Sequence, residues 1–223
     1  MLLVPYLVGV VRAGPSWAQV PLLVAWLAGY LLSYYVLLAI KTRRVSRVRR
    51  QLLTYAGLTV PAGLVAVVLR PELLTFAPVY AVLLGVNVWY AWHRSERGLV
   101  NGLASVVQGC LMVPVAAGAA GVVPLAVLEP FLLVLMYFVG TMLFVKTMVR
   151  KRGDERYFRA SVAYHAVVVV AAGLIAWPLT GLFGWFLVRA VWLPHRKMTP
   201  KGVGMIEIAN CVALLIAVIV LPS

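Results

Sequence analysis

The side chains that could do chemistry in this chain lie inside long apolar runs. Asn101, Ser105 and Gln108 are spaced i, i+4, i+7, which puts them on one face of a helix. Asn87, Tyr90 and Arg94 share a face in the same way at i, i+3, i+7, and Glu207 and Asn210 are i, i+3. Ser161, Tyr164 and His165 form a further group, and Tyr34 and Tyr35 sit in an earlier run. Within lipid each such group needs a partner or a wet cavity, so each is a site hypothesis. The plainer alternative is a hydrogen bond between packed helices. Their shared depth points to a polar cavity lined by Asn87, Asn101, Gln108, Tyr164, His165 and Glu207. Arg189 and Glu207 fall at nearly the same depth on consecutive antiparallel segments, so they are expected to pair. Glu129, followed by Pro130, stands apart near the opposite end of its segment.

Other chemistries lack their residues. His93, His165 and His195 lie in different segments, and no HxxxH, HExxH or CxxC pair occurs. Cys110 and Cys211 sit in apolar runs and read as buried small hydrophobes. Gly202-Val-Gly204 stands before the last segment, with no strand to make it a dinucleotide fingerprint. No metal site and no cofactor is evident. Lys41–Arg50, KTRRVSRVRR, is a basic loop whose Arg43, Arg44 and Arg47 could hold an anionic head group, with Lys146 as a further candidate.

The elements that must position these groups follow from composition. Of 223 residues 64% are apolar, and mean hydropathy is +0.99. Soluble domains run nearer about 45–50% apolar. The composition excludes a secreted disulfide scaffold, a cytosolic enzyme and a nucleic-acid-binding module. It implies an all-α, polytopic membrane bundle in a single transmembrane domain. Nine segments can be drawn, at 1–11, 17–40, 51–69, 73–92, 98–119, 123–145, 160–177, 182–193 and 202–221. The net charge of +14 follows this layout. With alternating segments, eighteen of the 20 Lys and Arg lie on one side, leaving Arg12 and Arg70 on the other. That bias makes the basic side cytoplasmic, with the N-terminus inside and the C-terminus outside. The first segment is too short to span a core about 30 Å thick. Either it is re-entrant or its helix is cut short, and the topology favours the second. No cleavable signal peptide is expected, since Met1 opens directly on an apolar run.

Four stretches carry a resemblance: MLLVPYLVG at the start, SERGLVNGLAS at Ser95–Ser105, FVKTMVRKRG with YFRASVAYH through His165, and RAVWLPHRKMTPKGVGMIEI at Arg189–Ile208. Together they resemble the YwiC-like family of bacterial membrane proteins. That family implies a His-Gly-Ala-Trp motif just before MLLVP, which this chain lacks. A more distant likeness, in architecture alone, is to the UbiA-type prenyltransferases. Those hold a prenyl diphosphate through Mg²⁺ on two Asp-rich motifs. Here the first position carries KTRRVSRVRR without a carboxylate, and the second offers only Asp154 and Glu155. Mg²⁺ chemistry of that kind lacks its ligands.

Three functions compete at this point. The first is a prenyltransferase-like protein that binds an anionic isoprenoid or quinone-type lipid in a cytoplasm-facing cavity. The others are a structural or assembly factor for a membrane complex and a small transporter. Membrane lipids are the expected partners, and nucleic acid is not one.

Overall fold

The computed structural model describes residues 2–196 and 198–220. Lys197, counted above among the basic-side charges, lies outside the described residues. Those described form helices and the connections between them, without a strand. The helices are α1 (Leu3–Ala13), α2 (Gln19–Thr42), α3 (Arg49–Leu69), α4 (Ala77–Trp92), α5 (Leu99–Cys110), α6 (Met112–Ala119), α7 (Leu128–Val149), α8 (Glu155–Ile175), α9 (Leu179–Trp192) and α10 (Pro200–Val220). Among the described residues seven helical stretches are long and apolar enough to cross a membrane: 19–42, 45–69, 71–92, 99–119, 124–149, 155–175 and 200–220. The chain is a multi-span membrane protein. The 11-residue α1 and 14-residue α9 are shorter apolar helices.

Local chemistry sets the boundaries. Gly14, with φ of 83°, ends α1 in a backbone conformation that favours glycine. Arg43 adopts the left-handed conformation at the end of α2. Val45–Val48 then form a 3-10 turn, so the expected basic loop is a short, partly ordered connection. Within 99–119 the helix breaks at Leu111. Pro114 there lacks the N–H that Cys110 would receive, and its ring crowds that carbonyl. Asp154 caps α8 by accepting the Tyr157 backbone N–H at 3.2 Å.

Several expected boundaries are corrected. The seventh segment starts at Glu155, five residues before the drawn position, because Asp154 supplies the cap. Residues 146–159, between the drawn sixth and seventh segments, are therefore mostly helix, and only 150–154 connects α7 to α8. Arg94 falls beyond the end of α4, with φ of 55°, and so leaves the Asn87–Tyr90 face. Pro178 precedes α9, and Thr180 and Gly181 belong to its first turn rather than to a connecting turn. Gly202 and Gly204 lie inside α10, which begins at Pro200.

The chain divides into two compact units, residues 2–128 and 129–220 of those described. In the first, Tyr6, Leu22, Met112, Val115 and Ala116 make a core between α1, α2 and α6. Gly9 lets α1 approach α6 closely: a Cβ there would lie 2.5 Å from the Val113 carbonyl oxygen. In the second, Phe144, Met148, Ala190 and Val203 make a core among α7, α9 and α10.

Candidate functional site

The strongest polar cluster lies in the second unit, on α7, α9 and α10. Arg189 is 1% exposed, and its Nη1 donates to Glu207 Oε1 in a direct ion pair. The two charges expected to meet do so. Glu207 Oε2 accepts from Thr141 Oγ1 at 2.9 Å and from the Tyr137 hydroxyl at 3.2 Å. Thus both carboxylate oxygens are occupied. Three rings surround the guanidinium, with centres 4.6 Å (Phe144), 5.2 Å (Phe186) and 5.9 Å (Tyr137) from Cζ. Such ring faces attract a cation. Arg189 Nε and Nη2 nonetheless have no hydrogen-bond partner.

One turn along, Trp185 Nε1 donates to Asn210 Oδ1 at 3.1 Å. An indole N–H can only donate, so the amide orientation is set, and Asn210 Nδ2 is turned away without a partner. Trp185 and Arg189 are i, i+4 on α9, opposite Glu207 and Asn210 on α10, so the four make two rungs of one ladder.

His165 on α8 donates from Nδ1 to the Ser161 carbonyl at 2.7 Å, leaving Nε2 buried and unpartnered. Gly140 on α7 makes room for the imidazole: a Cβ there would be 3.0 Å from Nε2. His165 lies ten residues into α8, about 15 Å along it and deeper than the drawn segment placed it. Tyr164 donates to the Met136 carbonyl at 3.1 Å and is tied into packing between α7 and α8.

In the first unit, Ser105 Oγ donates to Asn87 Oδ1 at 3.0 Å, and Asn87 Nδ2 donates to Gln108 Oε1 at 3.0 Å. Asn101 turns its Nδ2 to the Glu96 carbonyl at 2.8 Å, leaving Oδ1 unpartnered. Of the stripes drawn on α4 and α5, Asn87, Ser105 and Gln108 therefore form one hydrogen-bonded network, which the Asn101 side chain does not join. The candidate cavity residues fall into two clusters, one in each unit. A cavity of about 170 Å³ is found elsewhere, at the loop end of α7, α8 and α9, among Thr147, Lys151, Asp154, Phe158, Pro194 and His195.

Arg43, Arg44 and Arg47 are exposed on the connection after α2, and Arg43 stacks over the Trp92 ring at 5.3 Å. Lys146 is different: it is 8% exposed near the end of α7, because the helix continues past it to Val149. Among the described residues no three His, Cys, Asp or Glu side chains gather where a metal could be held. In the loops, the Lys41 ammonium beside Glu96 holds its carboxyl below the usual range, chiefly through a hydrogen bond. The Tyr157 backbone N–H does the same for Asp154.

Sequence reasoning missed Tyr137, Thr141, Phe144, Trp185 and Phe186. Tyr137, Thr141 and Phe144 share one face of α7 at i, i+4, i+7, but they read as packing until Glu207 is placed against them.

Comparison with known proteins identifies the family of the chain. The model of the YwiC-like protein family matches residues 1–117. An uncharacterised protein of Haemophilus influenzae is 31% identical over 99% of this chain and 93% of its own length. The chain belongs to the YwiC-like family. The uncharacterised protein YwiC of Bacillus subtilis is 26% identical, over 94% of this chain and 89% of its own. No solved structure matches significantly. The α7–α10 ladder lies outside the matched 1–117 stretch but inside the span aligned with both relatives.

Proposed function

We propose that this YwiC-like protein binds a polar-headed isoprenoid or quinone-type lipid, with Arg189 holding the head group. One observation carries the reading: Arg189 is wholly buried, and two of its three nitrogens have no hydrogen-bond partner. A buried polar group left unpaired costs about 1–3 kcal/mol, and more when charged. A pair serving only to fasten α9 to α10 gains nothing from that cost, whereas a ligand oxygen removes it. Glu207, held by Tyr137 and Thr141, then acts as the strut that orients the guanidinium.

Prenyl transfer of the UbiA type is not part of the proposal. The connection after α2 has no carboxylate. Asp154 is committed to the α8 cap, and Glu155 pairs with Arg159 at 3.4 Å. The donor set does not fit Mg²⁺.

A structural role for the pair is favoured by the three rings around Arg189, and mutation separates the two readings. Native mass spectrometry of the purified protein should show a bound lipid that is absent from folded Arg189→Gln. An Arg189/Glu207 charge swap should keep the fold and lose the lipid. If the variants retain the lipid, or the wild-type protein carries none, the lipid reading fails. A swap that restores only the thermal stability lost in Glu207→Gln would make the pair a structural one.

A further inference from the structure

The ladder carries information about the charge of what it binds. Arg189 contributes one positive charge and Glu207 one negative charge in direct contact, so the ladder is already neutral. Glu207 accepts three donors, from Arg189, Tyr137 and Thr141, so both of its oxygens are engaged. Among the described residues, the buried side-chain atoms left unpartnered on α9 and α10 are N–H donors: Arg189 Nε and Nη2, and Asn210 Nδ2. The site thus has donors to offer and no net charge to neutralise.

We infer that the ladder takes a neutral carbonyl oxygen, such as a quinone-type head group carries, and that it discriminates against an anionic head group. The inference rests on the lipid-binding reading above and narrows its ligand. A carbonyl oxygen accepts two hydrogen bonds and brings no charge. A phosphate in the same place would stand close to the Glu207 carboxylate, and like charges repel strongly in a poorly screened interior. The buried rings of Phe144, Phe186 and Tyr137 pack around the guanidinium and keep the surroundings apolar, where an added charge is poorly screened.

Trp185 and Asn210 supply selectivity of their own. Trp185 is 51% exposed, whereas the Asn210 it holds is 4% exposed. The indole therefore covers Asn210, and its N–H holds the amide oxygen, which leaves Nδ2 as a buried donor without a partner. Asn210 is the specificity residue and Trp185 its positioning residue.

The test uses the full-length protein in nanodiscs, with empty nanodiscs as the blank. Two probes are compared by equilibrium dialysis: menadione, a neutral naphthoquinone, and farnesyl phosphate. Menadione should bind the wild-type protein, and farnesyl phosphate should not displace it. Asn210→Leu, which removes the amide donors, should weaken menadione at least about tenfold. Trp185→Phe should weaken it less, and Trp185→His, which restores an N–H, should recover part of the loss. Glu207→Gln leaves Arg189 with uncompensated charge, so farnesyl phosphate should bind this variant and not the wild type. Circular dichroism and a monodisperse elution profile report whether each variant is folded. Farnesyl phosphate binding to the wild-type protein in preference to menadione overturns the inference and leaves the lipid-binding reading standing. If neither probe binds the folded wild type, both fall.

Discussion

Lys41 and Glu96 meet at 2.9 Å where the end of α2 passes the connection between α4 and α5. The Glu96 carboxyl is held below its ordinary value of 4.5, first by the Lys41 hydrogen bond. A lowered folded value means the contact stabilises fully above the unfolded value and is lost as pH falls through the folded one. Thermal midpoints of the wild type and Glu96→Gln should differ by a constant amount from neutral pH to about 5, and converge as the pH falls through the lowered folded value. The gap should be small, because exposed pairs contribute about 0–1 kcal/mol. A gap that stays constant to about pH 3 would separate the carboxyl from this role. The same scale shows what a sequence discloses. Arg189 and Glu207 could be paired from depth alone, because a lone charge inside lipid is costly. The groups that complete the site could not. Tyr137 and Phe144 look like ordinary apolar packing, and Thr141 like a tolerated hydroxyl, until another helix brings a carboxylate against them.

At the scale of elements, α1 is fastened by two devices that sequence patterning does not reveal. Gly9 has no side chain, and that absence lets α1 lie against the α6 backbone. Gln19 is 3% exposed and works with three partners. Its Nε2 donates to the Gly14 and Ala116 carbonyls at 3.1 and 3.0 Å, and its Oε1 accepts the Ser16 N–H at 2.8 Å. Gly9→Ala places a methyl group 2.5 Å from the Val113 carbonyl oxygen, a backbone atom that cannot rotate away. It should destabilise the protein by about 1–3 kcal/mol, the range for overpacking. Gln19→Leu leaves buried backbone groups unpaired and should cost about 1–3 kcal/mol as well. Thermal unfolding in detergent measures both, and a variant as stable as the wild type would show that α1 is not held this way. Helix existence was legible because apolar runs have few alternatives in lipid. Helix ends were less so. The cap at Asp154 and the break at Leu111 depend on a single Asp and a single Pro inside stretches whose hydropathy changes smoothly.

For the whole molecule, the charge distribution yields a topology that can be tested at three positions. The connection after α2 exposes Arg43, Arg44 and Arg47, and basic groups near an anionic surface gain about 1 kcal/mol each. Basic segments near span ends stay on the cytoplasmic side, so Ser46, exposed in that connection, should face the cytoplasm. Leu125 follows an odd number of further crossings, through α3, α4 and the α5–α6 stretch, and should face outward. It is 79% exposed. His195 decides the doubtful case. With 14 residues, α9 is about 21 Å long, short of a core about 30 Å thick. Yet Arg196 and Lys201 follow it, and the charge rule places them inside only if α9 crosses. Single cysteines at Ser46, Leu125 and His195 can be introduced after Cys110 and Cys211 are replaced by Ala. A membrane-impermeant maleimide added to intact cells should label the Leu125→Cys protein alone. Labelling of Ser46→Cys would invert the topology. Labelling of His195→Cys with Ser46→Cys protected would mean that α9 turns back within the membrane. In that case the Arg189–Glu207 ladder would open toward the outer face.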